Sequence, residues 1–321
     1  MLRFLIGSAT VNKSEQCLQE MRQELKQNPP QGPPIIYLVP DQMTFQQEYA
    51  LLNDPDVNGS IRGQVYSFSR LAWRVMQLTG GATKKFITST GMQMMLRKIV
   101  EERTDDWKVF QKAIEKQGFI EQLEDMITEF KRYCVTPELI TSQLQEMDKF
   151  KHKTIGEKAL ENKLDDLLYI YQHLTHALAG HYMDSEDQLQ QLTEKLETSN
   201  YLEDTTVYID GFHQFTPQEL LVIKTILKKA KQVTVTLTVD DLHDQDVQPL
   251  DLFYQTKETY QQLKQLADQL MIHTEIETLA TDQHSRLPFI HLDQHFDSRP
   301  VQSYPEKAPV SLLKRFILVL K

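Results

Sequence analysis

Five short runs of β-branched and aromatic residues constrain this chain more than any other feature. They are Arg3–Ile6 (RFLI), Ile35–Val39 (IIYLV), Gln64–Phe68 (QVYSF), Thr206–Asp210 (TVYID) and Val233–Thr238 (VTVTLT). Each is bounded by Gly, Pro, Asp or Asn, the punctuation that ends strands. Their mostly continuous apolar character predicts strands buried on both faces, the setting of a parallel sheet rather than a half-solvated antiparallel one. Helical periodicity separates them. Ser14 to Lys26 places Cys17, Leu18, Met21 and Leu25 on one face, and Pro29, Pro30, Gly32, Pro33 and Pro34 stop that helix. Thr216, Pro217 and Glu219 form a capping-box start for a second helix carrying Leu220, Ile223 and Leu227. Strand–helix alternation of this kind predicts a doubly wound α/β domain.

Between the third and fourth runs the strand signal nearly vanishes, over a span far longer than an ordinary connection. Its segments read as amphipathic helices over Thr90–Arg103, Trp107–Lys131, Pro137–Met147 and Gly156–Leu178. The expected organisation is an α/β domain from residues 1–80 and 181–300, interrupted by a helical insertion at 81–180. Residues 301–321 form an irregular tail ending KAPVSLLKRFILVLK, which is read as the mark of a truncated or altered reading frame.

A formal charge of −10, from 35 Lys plus Arg against 45 Asp plus Glu, excludes a global basic field. Any nucleic-acid contact must then use a local patch. Cys17 and Cys134 are too few for a disulfide scaffold, a four-cysteine zinc site or an iron–sulfur cluster. The apolar run Phe316–Leu320 is far short of the roughly 20 residues of a membrane span. With no signal peptide visible, the chain is expected in the cytoplasm without membrane contact.

The first run feeds Gly7-Ser8-Ala9-Thr10-Val11-Asn12-Lys13-Ser14 and then a helix. A phosphate loop needs this context: a strand, a tight turn with inward N–H groups, and a helix N-terminus. In that reading Lys13 reaches the phosphates and Ser14 joins a Mg²⁺ shell. Asn12 stands where the usual pattern has its second glycine. The plainer reading is a strand, a turn and a helix with a solvated lysine. Asp210 ends the fourth run, where an acid can hold Mg²⁺; the next residue, Gly211, has no side chain to activate water. A strand-ending Asp-Gly turn explains the same pair. Asp240 and Asp241 end the fifth run, where a nucleotide sensor or a solvated turn fits.

In order and spacing, these motifs resemble the superfamily-one helicase motor domain. GSATVNKS resembles motif I, YLVPDQMTFQQE (Tyr37–Glu48) the motif Ia region, SFSRLA (Ser67–Ala72) the T-F-H-S-x-A element, and MDSEDQL (Met183–Leu189) the D-F-D-D-L-L element. YIDGFHQFTPQE (Tyr208–Glu219) resembles motif II with its downstream glutamine, Gln218. The strings LVPDQMTFQQEYALL, SIRGQVYSFSRLAWRV, YIDGFHQFTPQEL and VTVTLTVD are similar to AddB-type subunits of bacterial helicase–nucleases. The resemblance implies a P-loop NTPase-like (RecA-like) sheet with an all-helical insert. It implies a degenerate site for ATP and Mg²⁺ built from Gly7 to Ser14 and Asp210, with Ser14 and Asp210 on the metal. It implies an AddA-type partner subunit and single-stranded DNA or a duplex end as ligand, in double-strand-break processing, recombination and Chi scanning. The family's nuclease region and iron–sulfur cluster do not map onto this chain.

Candidate DNA contacts are Gln42, Gln46 and Gln47 after the second run, and Ser67, Ser69 and Arg70 after the third. They fall at the carboxyl edge of the expected sheet, where such folds bind ligands. Capping and loop solvation account for them equally well. An active ATPase motor and a pure docking scaffold are the alternative functions. His173, His176 and His181 read as surface residues, His291, Asp293 and His295 as an exposed alternating face, Cys17 as core, and Trp73 and Trp107 as packing. The acids from Asp184 to Asp210 read as a solvated face.

Overall fold

A computed structural model describes all residues except 28–31, 55–56, 58, 81–84, 104–105, 150–152, 240–241, 243–248, 281–286, 297 and 305–321. Asp240, Asp241 and the tail from Pro305 therefore lie outside the described residues. In chain order the elements are β1 (Leu2–Gly7), α1 (Lys13–Gln27), β2 (Ile35–Leu38), α2 (Thr44–Leu52), β3 (Gly63–Tyr66), α3 (Phe68–Thr79), β4 (Lys85–Phe86), α4 (Ser89–Glu102), α5 (Phe119–Arg132) and α6 (Pro137–Asp148). They continue as α7 (Ile155–Leu178), β5 (Tyr182–Met183), α8 (Ser185–Thr198), β6 (Thr206–Ile209), α9 (Pro217–Lys229), β7 (Gln232–Thr238), α10 (Tyr254–Gln269), β8 (Thr274–Thr278) and α11 (Leu287–His295).

The chain divides into two compact units. One comprises Met1–Val65, Glu203–Gln214 and Lys229–Lys321; the other comprises Tyr66–Leu202 and Phe215–Lys228. The composition shift in the sequence set the helical insertion at 81–180, whereas by contacts the helical unit also takes in α3, α8 and most of α9.

The first unit is built on a six-stranded sheet of order β3-β2-β6-β7-β1-β8. The pairs β2·β6, β6·β7, β7·β1 and β1·β8 are parallel. All five expected strands are present. β2 is buried along its whole length, and β6 and β7 are buried except at their ends, as continuous apolar runs require. The sixth strand, β8, was not anticipated. Its sequence TEIET is polar at four of five positions and lies at the sheet edge with Glu275 exposed and Glu277 half-buried, so it lacks the apolar run that marked the others. Leu5, Cys17, Leu18, Met21, Leu25, Ile35 and Tyr37 pack into one cluster of this unit, which confirms Cys17 as core.

The second unit is helical, apart from the short parallel pair β4·β5. Its core gathers Leu96, Leu123, Ile127, Leu167, Ile170 and Leu174 from its helices. Of the four helices expected here, three agree to within a residue or so, but Trp107–Lys131 does not. Residues 107–118 form bends, turns and a single 3₁₀ turn at Phe110–Lys112, and α5 starts after Gly118 at φ +85°. The cause lies far along the chain. The fully buried carboxylate of Asp166 accepts the backbone N–H groups of Lys108 (3.1 Å), Val109 (2.8 Å) and Phe110 (3.2 Å). That carboxylate also sits 3.9 Å from the Arg103 guanidinium, which stacks on Trp107 and Tyr169. A tertiary acceptor thus overrides the local helical pattern. Trp107 is buried as expected, but Trp73 is 53% exposed and does not pack.

Asp166→Ala removes the acceptor of three N–H groups and leaves a largely buried guanidinium uncompensated. We expect a loss of about 3–5 kcal/mol of stability, read from urea unfolding. A loss below ~1 kcal/mol would show that water replaces the carboxylate without cost.

Candidate functional site

Strand order decides which residues meet. β2, β6, β7 and β1 are consecutive in the sheet, so residues at their carboxyl ends share one edge. Gly7 ends β1, Asp210 follows β6, and Thr236 lies near the end of β7. Ser14, in the first turn of α1, donates its hydroxyl to Asp210 Oδ2 at 2.6 Å. The loop and the strand-ending acid grouped from sequence therefore do lie together.

The polarity of the loop is unlike that of an anion nest. Lys13 is 7% exposed, and its ammonium donates inward to the carbonyls of Gly7 (3.0 Å), Ser8 (2.8 Å) and Val11 (3.4 Å). Backbone donors are spent within the loop as well: Val11 N–H on Ser8 O at 3.2 Å and Lys13 N–H on Val11 O at 3.1 Å. An anion-binding loop directs N–H groups at its ligand; here three carbonyls converge on a cation the chain itself supplies. Burial pulls the Lys13 ammonium below the ordinary lysine value, opposed by the charges of Asp210 and Asp293.

Asn12 occupies the helix end. Its Oδ1 accepts the Glu15 N–H at 3.1 Å, the N-cap bond that Asn makes well. The residue standing in place of glycine thus covers part of the helix N-terminus that a phosphate would use. Thr10 donates to Asp293 Oδ2 at 2.9 Å, which places an internal carboxylate on the loop. Asp293 belongs to helix α11, and His291, Asp293 and His295 are each half-buried, so the exposed alternating face read for them is corrected. In that helix His291 and His295, four residues apart, share one face with ring centroids 4.5 Å apart. Gly7 packs against Val11, and Ala9 lines the cleft beside the loop.

Asp210 is 3% exposed and accepts three hydroxyls: Ser14 and Tyr37 (2.5 Å) on Oδ2, and Thr236 in a short bond on Oδ1. Tyr37 is held strongly in its phenol form, first by burial and then by the Asp210 charge. Among the described residues, no group of three or more His, Cys, Asp or Glu side chains is placed to hold a metal ion. Asn12, Lys13, Ser14, Asp210 and Thr236 are among the lining of a cleft of about 180 Å³. Small-molecule sites run to roughly 300–1,000 Å³, so the cleft is small for a nucleotide.

Gly211 has φ +78°, and a Cβ there would lie 2.8 Å from Met43 Sδ. A water-activating side chain is missing at this position, and the left-handed backbone and the neighbouring Met43 disfavour one. Tyr37 and Thr236 escaped the sequence reading, and Asp293 was read only as part of an exposed face. Thr236 had a visible signal, because VTVTLT sets threonines on alternate positions of a buried strand, where each hydroxyl needs a partner. Asp293 had none, since it meets Thr10 across 283 positions of sequence.

The DNA candidates fall in both units. In the first unit Gln42 and Gln46 are exposed, whereas Gln47 is buried. In the second unit Ser69 and Arg70 are exposed. Ser67 is 1% exposed and is the N-cap of α3, accepting the Arg70 N–H at 3.3 Å. Gln218 is buried too and donates to the Glu186 carbonyl at 2.7 Å. His173, His176 and His181 are exposed, as expected.

The family model described as ADDB, N-terminal, matches residues 4–292. A curated relative from Oceanobacillus iheyensis, named as one subunit of an ATP-dependent helicase/deoxyribonuclease, is 49% identical over 317 residues, covering 98% of this chain and 27% of the relative. Proteins of the same name from Bacillus mycoides and Bacillus anthracis are each 47% identical over 315 residues, covering 97% of this chain and 27% of the relative. The chain thus spans 27% of the length of these curated relatives.

Gly211→Ala places a Cβ against Met43 in a left-handed backbone. It should lower stability by about 1–3 kcal/mol, seen as a shifted denaturation midpoint. An unchanged midpoint would show that the Met43 contact yields freely.

Proposed function

We propose, from the premise that this chain belongs to the ADDB N-terminal family, that it is a helicase-like module whose nucleotide site has been closed by its own side chains. It serves a helicase–nuclease subunit acting at broken DNA ends, beside an AddA-type partner. The strand–loop–helix start and the Ser14–Asp210 contact support descent from a RecA-like ATPase sheet. The observation that carries the inactive reading is the inverted loop: Lys13 held by three carbonyls and Asn12 on the helix end. ATP and Mg²⁺ do not fit the residues as arranged, because Lys13 is engaged by the loop and the hydroxyls of Ser14, Tyr37 and Thr236 surround Asp210. Gly211 argues against an active motor, since nothing at that position can act as a base.

DNA is then handled as a track rather than as a reason to hydrolyse ATP. Gln42 and Gln46 on one unit, and Ser69 and Arg70 on the other, are exposed polar groups suited to phosphate and sugar contacts. The formal charge of −10 favours the competing reading, a scaffold that binds only protein.

Titration calorimetry with Mg–ATP should find no binding tighter than about 1 mM, and phosphate release should stay below ~1 per second. The double variant N12G/D293A should tighten ATP binding about tenfold or more by baring the helix end and removing the internal carboxylate. No gain would show that the closure is not what excludes the nucleotide. Filter binding of a labelled single strand separates the two readings. If about three phosphates are contacted, affinity falls roughly 20-fold between about 50 and 200 mM salt. No retention even at low salt would favour the scaffold.

A further inference from the structure

Helix α11 has nine residues, and none of them is fully buried. A helix this short is marginal in water unless packing or a ligand supports it. Contacts at its second half position it. Asp293 accepts the Thr10 hydroxyl at 2.9 Å, on the Gly7–Ser14 loop. The His295 carbonyl accepts the Ser298 N–H at 3.1 Å and the Ser298 hydroxyl at 2.8 Å, which fixes the end of the helix. The His291 ring meets Tyr304 edge-on, with centroids 5.4 Å apart.

His291 and His295 follow one another along a single helix face, one turn apart, with ring centroids separated by 4.5 Å. An ion bound to imidazole nitrogen at about 2.0–2.1 Å lies about 3.2 Å from the ring centre. Two rings on one ion, at an angle of about 90–110°, then have their centres about 4.5–5.2 Å apart. The observed separation falls at the lower end of that range. Among the described residues, no hydrogen bond occupies a ring nitrogen of either histidine. Both side chains are half-buried, so they are supported yet open to solvent. His173, with His176 three residues on, is arranged differently: its ring stacks on Tyr169 at 3.9 Å and its Nδ1 lies 2.8 Å from the Tyr169 carbonyl.

The geometry points to a two-histidine chelate on α11 for a divalent ion of the late first-row series: zinc, nickel or copper. Imidazole suits these ions, whereas magnesium and calcium take oxygen ligands. Two nitrogens fill part of the coordination shell and leave the remaining positions to water. Asp293 is turned to Thr10 and is not part of the set. A ligand that binds only the folded turn stabilises that turn. The ion therefore clamps the stretch of α11 that carries Asp293 and steadies its contact with Thr10. The inference stands apart from the nucleotide-site reading and does not require it.

The full chain is titrated with nickel chloride and, separately, with zinc chloride, each in excess magnesium, and followed by histidine side-chain NMR. The first saturable changes are expected at His291 and His295, as paramagnetic broadening with nickel and as shifts with zinc. His291→Ala and His295→Ala each remove one arm of the chelate from a helix with no buried residue, so the fold is kept. Each should weaken binding about tenfold or more. Cys134→Ser and His173→Ala, at other potential ligands, should leave the affinity within about twofold. Amide exchange across α11 should slow about fivefold or more with zinc, and not in His291→Ala. Binding weaker than about 1 mM in the unaltered chain marks an adventitious surface pair and overturns the proposal. So do an unchanged affinity in either alanine variant, first changes at His173, His176 or Cys134, displacement of the ion by magnesium, or α11 exchange unmoved by zinc.

Discussion

The Asp210 carboxylate is the constraint around which the first unit is arranged. A carboxylate taken out of water loses several kcal/mol of solvation, and it stays charged only if donors replace that water. Here the donors are three hydroxyls, from Ser14 on α1, Tyr37 on β2 and Thr236 on β7. A hydrogen bond to a charged group contributes about 1.5–3 kcal/mol, so three can offset the burial. They also do what apolar packing cannot. Each hydroxyl comes from a different element, so their convergence fixes the register of β2 and β7 against β6 and the position of α1 over their ends. In this arrangement the carboxylate is a structural hub.

The loop beside it follows from the same logic of satisfaction. Lys13 is buried, and a buried ammonium needs acceptors as much as a buried carboxylate needs donors. Loop carbonyls are the nearest, and turning three of them inward reverses the polarity that an anion requires. Asn12 makes this stable, because its Oδ1 caps the helix end by accepting the Glu15 N–H. Glycine at that position offers no side-chain cap and would leave the Glu15 N–H seeking an external acceptor. One side chain thereby distinguishes a loop that waits for a ligand from one that has completed itself.

Much of this was legible in the sequence. The central strands announced themselves by continuous apolar runs, and the Gly7–Ser14 segment by its place between strand and helix. Where reading failed, the cause was a partner distant in sequence. The turns at 107–118 look helical because Trp107, Phe110 and Ile114 fall at helical spacing, yet Asp166 takes the N–H groups of Lys108, Val109 and Phe110. β8 pairs at an edge, where the apolar demand is weaker and its glutamates are tolerated. Trp73 sits on an amphipathic helix among apolar neighbours but points away from the buried face of Phe68, Leu71, Ala72, Val75 and Met76. Composition around a residue does not reveal which side of a helix is covered.

Each unit contains a fully or nearly buried aspartate, and the two differ in what they leave for chemistry. Asp166 is bound by backbone N–H groups, which are fixed in the chain and cannot be exchanged for a ligand without unfolding the turn. Asp210 is bound by side-chain hydroxyls, which rotate, and it opens onto a cleft. A hydroxyl can yield its place to a cation at the cost of one hydrogen bond; a backbone turn cannot. The closure proposed for the nucleotide site is therefore held by a few side chains, Asn12, Lys13 and Asp293, over a scaffold that retains the adjacency an active site requires. On that reading, loss of catalysis required no change of fold, because the Ser14–Asp210 contact serves stability without any bound ligand.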